Sequence, residues 1–194
     1  MRTVAPARTC LSSLLSLTLM TAVTAPAVAK EDREPLERFR ARAYNVDWGG
    51  ATNLDISIYE WTTPEERDGL FKTFSEQGGV AFYTALQRTT DKGFLKLPRS
   101  TGRDTRYAWQ AEVEGRRRIV LATDRPMGFL GLSRQSNGGG RSFTLVVLDL
   151  DPATGGGTGT VIGGTELSVD RETGLRIEKT ASPPTKLTKV RSVK

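Results

Sequence analysis

An α+β chain, mainly antiparallel β, is what these 194 residues predict: about eight strands curled into a β-sandwich or an open barrel, with a short helical pair inserted after the second strand. Three observations carry that prediction. Short stretches with apolar residues at every second position recur along the chain, the period of a half-buried strand. Glycine, proline and aspartate clusters separate them at hairpin spacing. One region, residues 63–88, carries helix signals in their place.

Arg2 and Arg8 open the chain, residues 11–23 run without charge, and Ala27-Val28-Ala29 supplies an A-x-A site before Lys30. A basic beginning, a short apolar run and a small-residue site read as a secretory signal peptide over residues 1–29. The run is shorter than the roughly 20 apolar residues that span a bilayer, and no later stretch is long enough either, so no transmembrane segment is expected. Cys10 precedes the apolar run, which argues against a lipoprotein acylation site. Residues 30–37 are charged, contain Pro35 and read as a flexible leader. Residues 38–194 read as a single β-rich domain. The expected destination is the periplasm or the cell exterior.

Phe39, Ala41 and Ala43 alternate with Arg38, Arg40 and Arg42, so the first strand has one apolar and one basic face and runs to about Val46 or Trp48. Gly49-Gly50 breaks it. Leu54, Ile56 and Ile58 alternate in the second strand, which ends at Tyr59 and Trp61 and forms a hairpin with the first. Thr63-Pro64-Glu65-Glu66 starts a helix: Thr63 caps it, Pro64 suits the first helical position, and Glu66 completes a capping box. Leu70, Phe71 and Phe74 make its buried stripe, and Gly78-Gly79 stops it. A second short helix follows over residues 81–88, with Phe82, Tyr83 and Leu86 inward. Residues 94–98 form a short strand and residues 99–104 a polar link.

The alternation is densest in residues 105–124, TRYAWQAEVEGRRRIVLATD, the stretch around which the chain is organised. Tyr107, Trp109, Ala111 and Val113 share one strand face, and Ile119, Val120 and Leu121 begin the partner strand. A three-residue loop pairs Trp109 with Leu121 and Ala111 with Ile119, and sets Glu112 opposite Arg118. A two-residue loop pairs Trp109 with Val120 and puts Arg118 beside Ala111. The first register is preferred, because apolar partners then meet on one face and opposite charges on the other.

Asp124-Arg125-Pro126 is a turn, residues 127–132 (MGFLGL) fit no single conformation, and residues 133–141 form a loop around Gly138-Gly139-Gly140. Residues 142–151, SFTLVVLDLD, are apolar on both faces at their middle and belong centrally in the sheet. After a glycine-rich turn over 152–159, strands follow over 160–169 and 175–179. Leu187, Val190 and Val193 anchor a last short strand.

Removal of residues 1–29 takes away the only cysteine, and the sequence has no histidine. Internal disulfides, thiol nucleophiles, the Ser-His-Asp relay and zinc, copper or haem sites of the His/Cys kind are thereby excluded. Chemistry falls to Asp, Glu, Lys, Tyr, Ser or Thr, and no cofactor is expected. The formal charge is +6, concentrated at the C-terminal end in Arg176, Lys179, Lys186, Lys189, Arg191 and Lys194 against Glu178. Such an end suits weak contact with an anionic envelope surface. It forms neither a known nucleic-acid motif nor a compact basic-aromatic platform, so no nucleic-acid partner is expected.

Trp61, Tyr107 and Trp109, with Trp48, line a ligand cavity if the sheet curls around them, and pack as core otherwise. Asp124 and Arg125 fall at a sheet end, where loops build binding sites, and equally suit a capped turn. Asp149 and Asp151 precede glycines but lack the further ligands and closing Glu of a calcium loop, so no metal site is expected. Neither glycine-rich stretch, at Gly138 or Gly155, has phosphate-cradling spacing. Glu112 with Asp124 is the carboxylate pair on offer for glycoside hydrolysis. No catalytic residue is assigned.

Three blocks, Ile56-Ser57-Ile58-Tyr59-Glu60-Trp61 running into residues 62–67, then residues 117–126 (RRIVLATDRP), then Leu187-Thr188-Lys189-Val190, resemble a group of small exported bacterial proteins without an assigned activity. The resemblance covers most of residues 30–194 and implies export and one compact domain. It implies no substrate, cofactor or catalytic residue. Two functional expectations stand: an exported, non-enzymatic binding or envelope-associated module, or a carboxylate-based hydrolase acting on envelope sugars. Two facing carboxylates in a cleft would mark the hydrolase, and an apolar cavity lined by the tryptophans would mark ligand binding. Neither would leave contact through the surface.

Overall fold

β1 (Glu37–Asn45) and β2 (Gly50–Ile58) form the expected hairpin, paired from Glu37 opposite Ile58 to Asn45 opposite Gly50. The computed structural model describes residues 33–45, 50–125, 127, 143–170, 174–180 and 183–193. The leader read over 1–29, Trp48, Pro126, the loop 133–141 and all of MGFLGL except Met127 lie outside them. From Arg33 onward the chain is one compact unit. Residues 33–36 are irregular, but Arg33 is tied down: its guanidinium reaches Glu60 at 3.3 Å and the Asp91 carbonyl at 3.3 Å.

After β2 come α1 (Pro64–Arg88), β3 (Gly93–Lys96), β4 (Arg103–Thr105), β5 (Tyr107–Val113) and β6 (Arg116–Thr123). Then follow β7 (Phe143–Leu150), β8 (Gly157–Asp170), β9 (Gly174–Thr180) and β10 (Thr185–Ser192). The strands make one antiparallel sheet in the order β4-β3-β2-β1-β10-β8-β7-β6-β5, with β9 paired to β8. The last strand is thus no appendage: β10 joins β1 to β8 and welds the two halves of the chain.

The mainly antiparallel α+β fold is the expected one, and its sheet is a nearly closed, barrel-like one. β4 and β5 stand at opposite ends of the strand order, yet only Arg106 separates them in sequence. Thr62, beyond the end of β2, bonds to the β5 end of the sheet: its N–H donates to the Ala108 carbonyl at 2.8 Å, and its hydroxyl accepts from the Ala108 N–H at 3.0 Å. The described residues hold ten strands against the eight or so expected. Two of the three residues of β4, Arg103 and Asp104, fall in the polar link expected over 99–104, because β4 gains its ladder from β3, not from an apolar pattern. β8 starts at Gly157, inside the expected turn. A Cβ on Gly157 or Gly159 would run into the carbonyl oxygens of Asp149 or Val147, so these glycines permit close strand approach and are not loop residues.

Two apolar layers follow from the alternation. Phe39, Ile56, Leu95, Leu121, Leu148, Val161 and Leu187 belong to the layer inside the curled sheet. Val120, Ala122, Phe143 and Leu145 point the other way, into a second layer completed by Leu70, Phe82 and Leu86 of α1 and by Leu167, Leu175 and Ile177 of β8 and β9. β7 is apolar on both faces because it is covered on both, as its sequence indicates. α1 runs as one element with a break at Gly78 (φ 78°, ψ −178°), so the expected helical pair meets there across a single glycine. The capping box at Thr63 and Glu66 is present.

The preferred register of the β5–β6 hairpin is corrected. Trp109 pairs with Val120, Ala111 with Arg118 and Glu112 with Arg117, around a two-residue turn at Glu114 and Gly115. Both turn residues hold positive φ, 52° and 70°. That is the condition for a type I′ turn, whose twist matches that of the strands it joins. Turn geometry therefore outweighs side-chain pairing here. Arg118 loses Glu112 as its partner and takes Asp149 on β7, at 2.6 Å.

Candidate functional site

Tyr107 and Trp109 share one face of β5, as their spacing requires, and that face is the outer one beneath α1. Tyr107 is fully buried there, and Trp109 is half-buried. Arg67 of α1 lies over both aromatic neighbours on its side, 4.7 Å from the Trp109 ring and 4.6 Å from Phe71. Burial pushes the Tyr107 hydroxyl well above its ordinary range, and the adjacent Arg67 guanidinium only partly offsets this. A Cβ on Gly174 would lie 2.9 Å from that hydroxyl. The start of β9 therefore packs against the cluster.

Trp61 lies elsewhere. It packs against the layer inside the sheet, with the Arg117 guanidinium 5.7 Å from its ring. Arg117 makes a fork to Glu37, at 2.9 and 2.5 Å, and donates from Nε to Gln110 at 2.7 Å. An open hollow of about 490 Å³ adjoins this group, lined by Gln110, Glu112, Arg116, Arg117 and Pro152 among others. The structure thus brings Tyr107 and Trp109 together and puts Trp61 on the other side of the sheet.

Asp124 and Arg125 occupy the far end of β6 from the hairpin turn. Asp124 is buried; its carbonyl accepts from the Tyr83 hydroxyl at 2.9 Å, and its carboxylate accepts from Gln87 at 3.5 Å. Arg125 is exposed, and its carbonyl accepts from the Thr123 and Thr144 hydroxyls. Both act here as ties between α1, β6 and β7. Glu112, near the hairpin turn, and Asp124 bracket the length of β6 and do not face each other. Asp151 caps its own turn through the N–H groups of Ala153 and Thr154, at 2.8 and 3.1 Å. Among the described residues, no group of three or more Asp and Glu side chains could hold a metal ion.

One cluster has no announcement in the sequence. Lys92 is fully buried, and its ammonium donates to Glu60 at 2.6 Å and to Glu66 at 2.8 Å. Burial acts to lower its pKa, but the hydrogen bonds to the two carboxylates outweigh it and hold the lysine above its ordinary value. The Lys92 hydrogen bond, against some desolvation, holds Glu60 below the usual carboxylate range. No sequence signal marks Lys92, because its carboxylate partners lie 26 and 32 positions away; beside it Gly93 is tightly packed, and a Cβ there would sit 2.5 Å from the Ser57 carbonyl. The cluster ties the end of β2 and the start of α1 to the start of β3.

No family model, curated protein or solved structure matches this chain.

Proposed function

We propose that this is an exported, non-enzymatic binding module that works at the cell envelope through its outer surface. The observation that supports this reading is the filling of the curled sheet: side chains from β1, β2, β3, β6, β7, β8 and β10 occupy its interior together. A ligand therefore meets the protein from outside. The charged groups with the strongest contacts bond one another: Lys92 with Glu60 and Glu66, Arg117 with Glu37, Arg118 with Asp149. Such pairing suits a framework more than a proton-transfer pair, which needs carboxylates poised around a substrate. The signal-peptide features of residues 1–29 support the destination.

Fractionation of the native host tests the proposal. The protein should be recovered with the envelope, with an intact mass that begins at Lys30, and salt should release it. Recovery of only the full-length chain from the cytoplasm would overturn it.

A further inference from the structure

β1 and β10 carry basic faces that the fold places side by side. On β1, Arg38, Arg40 and Arg42 are exposed while Phe39, Ala41 and Ala43 are buried. On β10, Lys186, Lys189 and Arg191 are exposed while Leu187 and Val190 are buried. The ladder sets Arg40 directly opposite Arg191 and Tyr44 opposite Lys186.

A bulge makes the alignment. Apolar Leu187 and Val190 are three positions apart, which a regular strand would send to opposite faces. Lys189 takes a positive φ of 52°, and the register of β10 shifts there against both neighbours. The shift turns Val190 inward and re-aims Arg191 outward, onto the face that carries Arg40. Like charges directly opposite across a ladder destabilise it. The fold keeps this arrangement and offsets it only at Arg40, which reaches Asp55 of β2 at 2.6 Å. Among the described residues, no carboxylate lies within ion-pair distance of Arg38, Arg42, Lys186 or Arg191.

The face spans about 13 Å along β1, at about 3.3 Å per residue, and the two rows lie about 4.8 Å apart. Its charges therefore fall largely within one Debye length of one another and act as a group. Six cations against Asp55 exceed the net charge of residues 30–194, which is the +6 of the chain less Arg2 and Arg8. The other charged residues of 30–194 nearly balance one another. Tyr44, 43% exposed, stands at the end of the arginine row beside Lys186. An aromatic ring with a polar tip beside long-stemmed cations suits the headgroup layer of a bilayer better than a free polymer chain.

We propose that the outer face of β1 and β10 is a docking surface for anionic lipid headgroups, on which the protein lies without spanning the bilayer. This rests on the reading of the protein as an envelope-bound module and names the surface and the ligand chemistry of that binding.

Co-sedimentation of residues 30–194 with vesicles of equal parts phosphatidylglycerol and phosphatidylcholine tests it. Binding is expected at low salt and should be lost at about 1 M salt, where the Debye length falls to about 3 Å. Each cation removed should weaken partitioning about five-fold, the equivalent of about 1 kcal/mol. The variant Arg38→Gln/Arg42→Gln/Lys186→Gln/Arg191→Gln should therefore lose at least a hundred-fold and melt as the parent does. A control with the same charge change elsewhere, Lys72→Gln/Arg88→Gln/Arg103→Gln/Arg176→Gln, should retain most of the binding. Equal losses in both variants would overturn the proposal, because net charge alone would then explain binding. Failure of the parent to bind these vesicles, with retained binding to isolated envelope polymers, would overturn the lipid assignment and leave the envelope module standing.

Discussion

Lys92 Nζ lies 2.6 Å from Glu60 Oε1, across 32 positions of sequence, and the contact joins the start of β3 to the end of β2. The lysine side chain has no exposed surface, whereas Glu60 and Glu66 keep 43% and 36% of theirs. Lys92→Met leaves two carboxylates over an apolar stem. Because both still reach water, the cost should fall below the 3–5 kcal/mol of a fully buried broken pair, to about 2 kcal/mol. Adding Glu60→Gln and Glu66→Gln should recover most of it, since glutamine also completes a capping box. Urea midpoints of the three proteins check this.

Tyr107 should give stability a distinct alkaline limb. Its folded pKa is raised, chiefly by burial, so the folded chain holds the phenolic proton more tightly than the unfolded chain does. The contribution is complete below the unfolded value of about 10 and is lost as pH rises from there toward the folded value. Tyr107→Phe should flatten that limb while changing stability little at pH 7. Melting temperatures between about pH 8 and pH 11 decide it, and parallel curves for the two proteins would contradict it.

The hairpin turn offers room for improvement. Glu114 sits at φ 52°, a region that a glutamate tolerates poorly and an asparagine well. Glu114→Asn creates the Asn-Gly pair that type I′ turns favour and should stabilise the protein by about 0.5–1 kcal/mol. Gly115→Ala, at φ 70°, should destabilise it by about 1 kcal/mol. Denaturation midpoints moving in these opposite directions would verify the two-residue turn and hence the register.

Gly93 is the tightest test of packing near Lys92. An added Cβ would sit 2.5 Å from the Ser57 carbonyl and 2.7 Å from the Thr105 hydroxyl. Gly93→Ala should cost about 1–3 kcal/mol through overpacking, read from a thermal melt. An unchanged melt would show that β2, β3 and β4 can part at that point.

What period two makes legible is which residues share a face. Phe39, Ala41 and Ala43 against Arg38, Arg40 and Arg42, and the doubly apolar middle of β7, are visible in the sequence because burial selects side chains strand by strand. Pairing between distant strands leaves no such trace. Nothing in Lys186 or Arg191 signals that Arg40 and Tyr44 will lie opposite, since that follows from β10 joining β1 to β8. The hairpin register escapes a side-chain argument because two residues at positive φ set it. The parting of Trp61 from Trp109 follows from curvature: Trp61 packs inside the sheet and Trp109 outside it. Lys92 is silent because a buried lysine is explained only by carboxylates that the fold brings to it.

Binding without turnover is the central claim, and one titration tests it directly. Residues 30–194 are mixed with isolated envelopes of the native host at low salt, and both the bound protein and any soluble sugar products are measured over time. The account predicts saturable, salt-reversible binding, full recovery of unaltered protein and no sugar fragments beyond the protein-free control. Sustained release of fragments would contradict it and establish a hydrolase, and absence of binding at every salt concentration would contradict it equally.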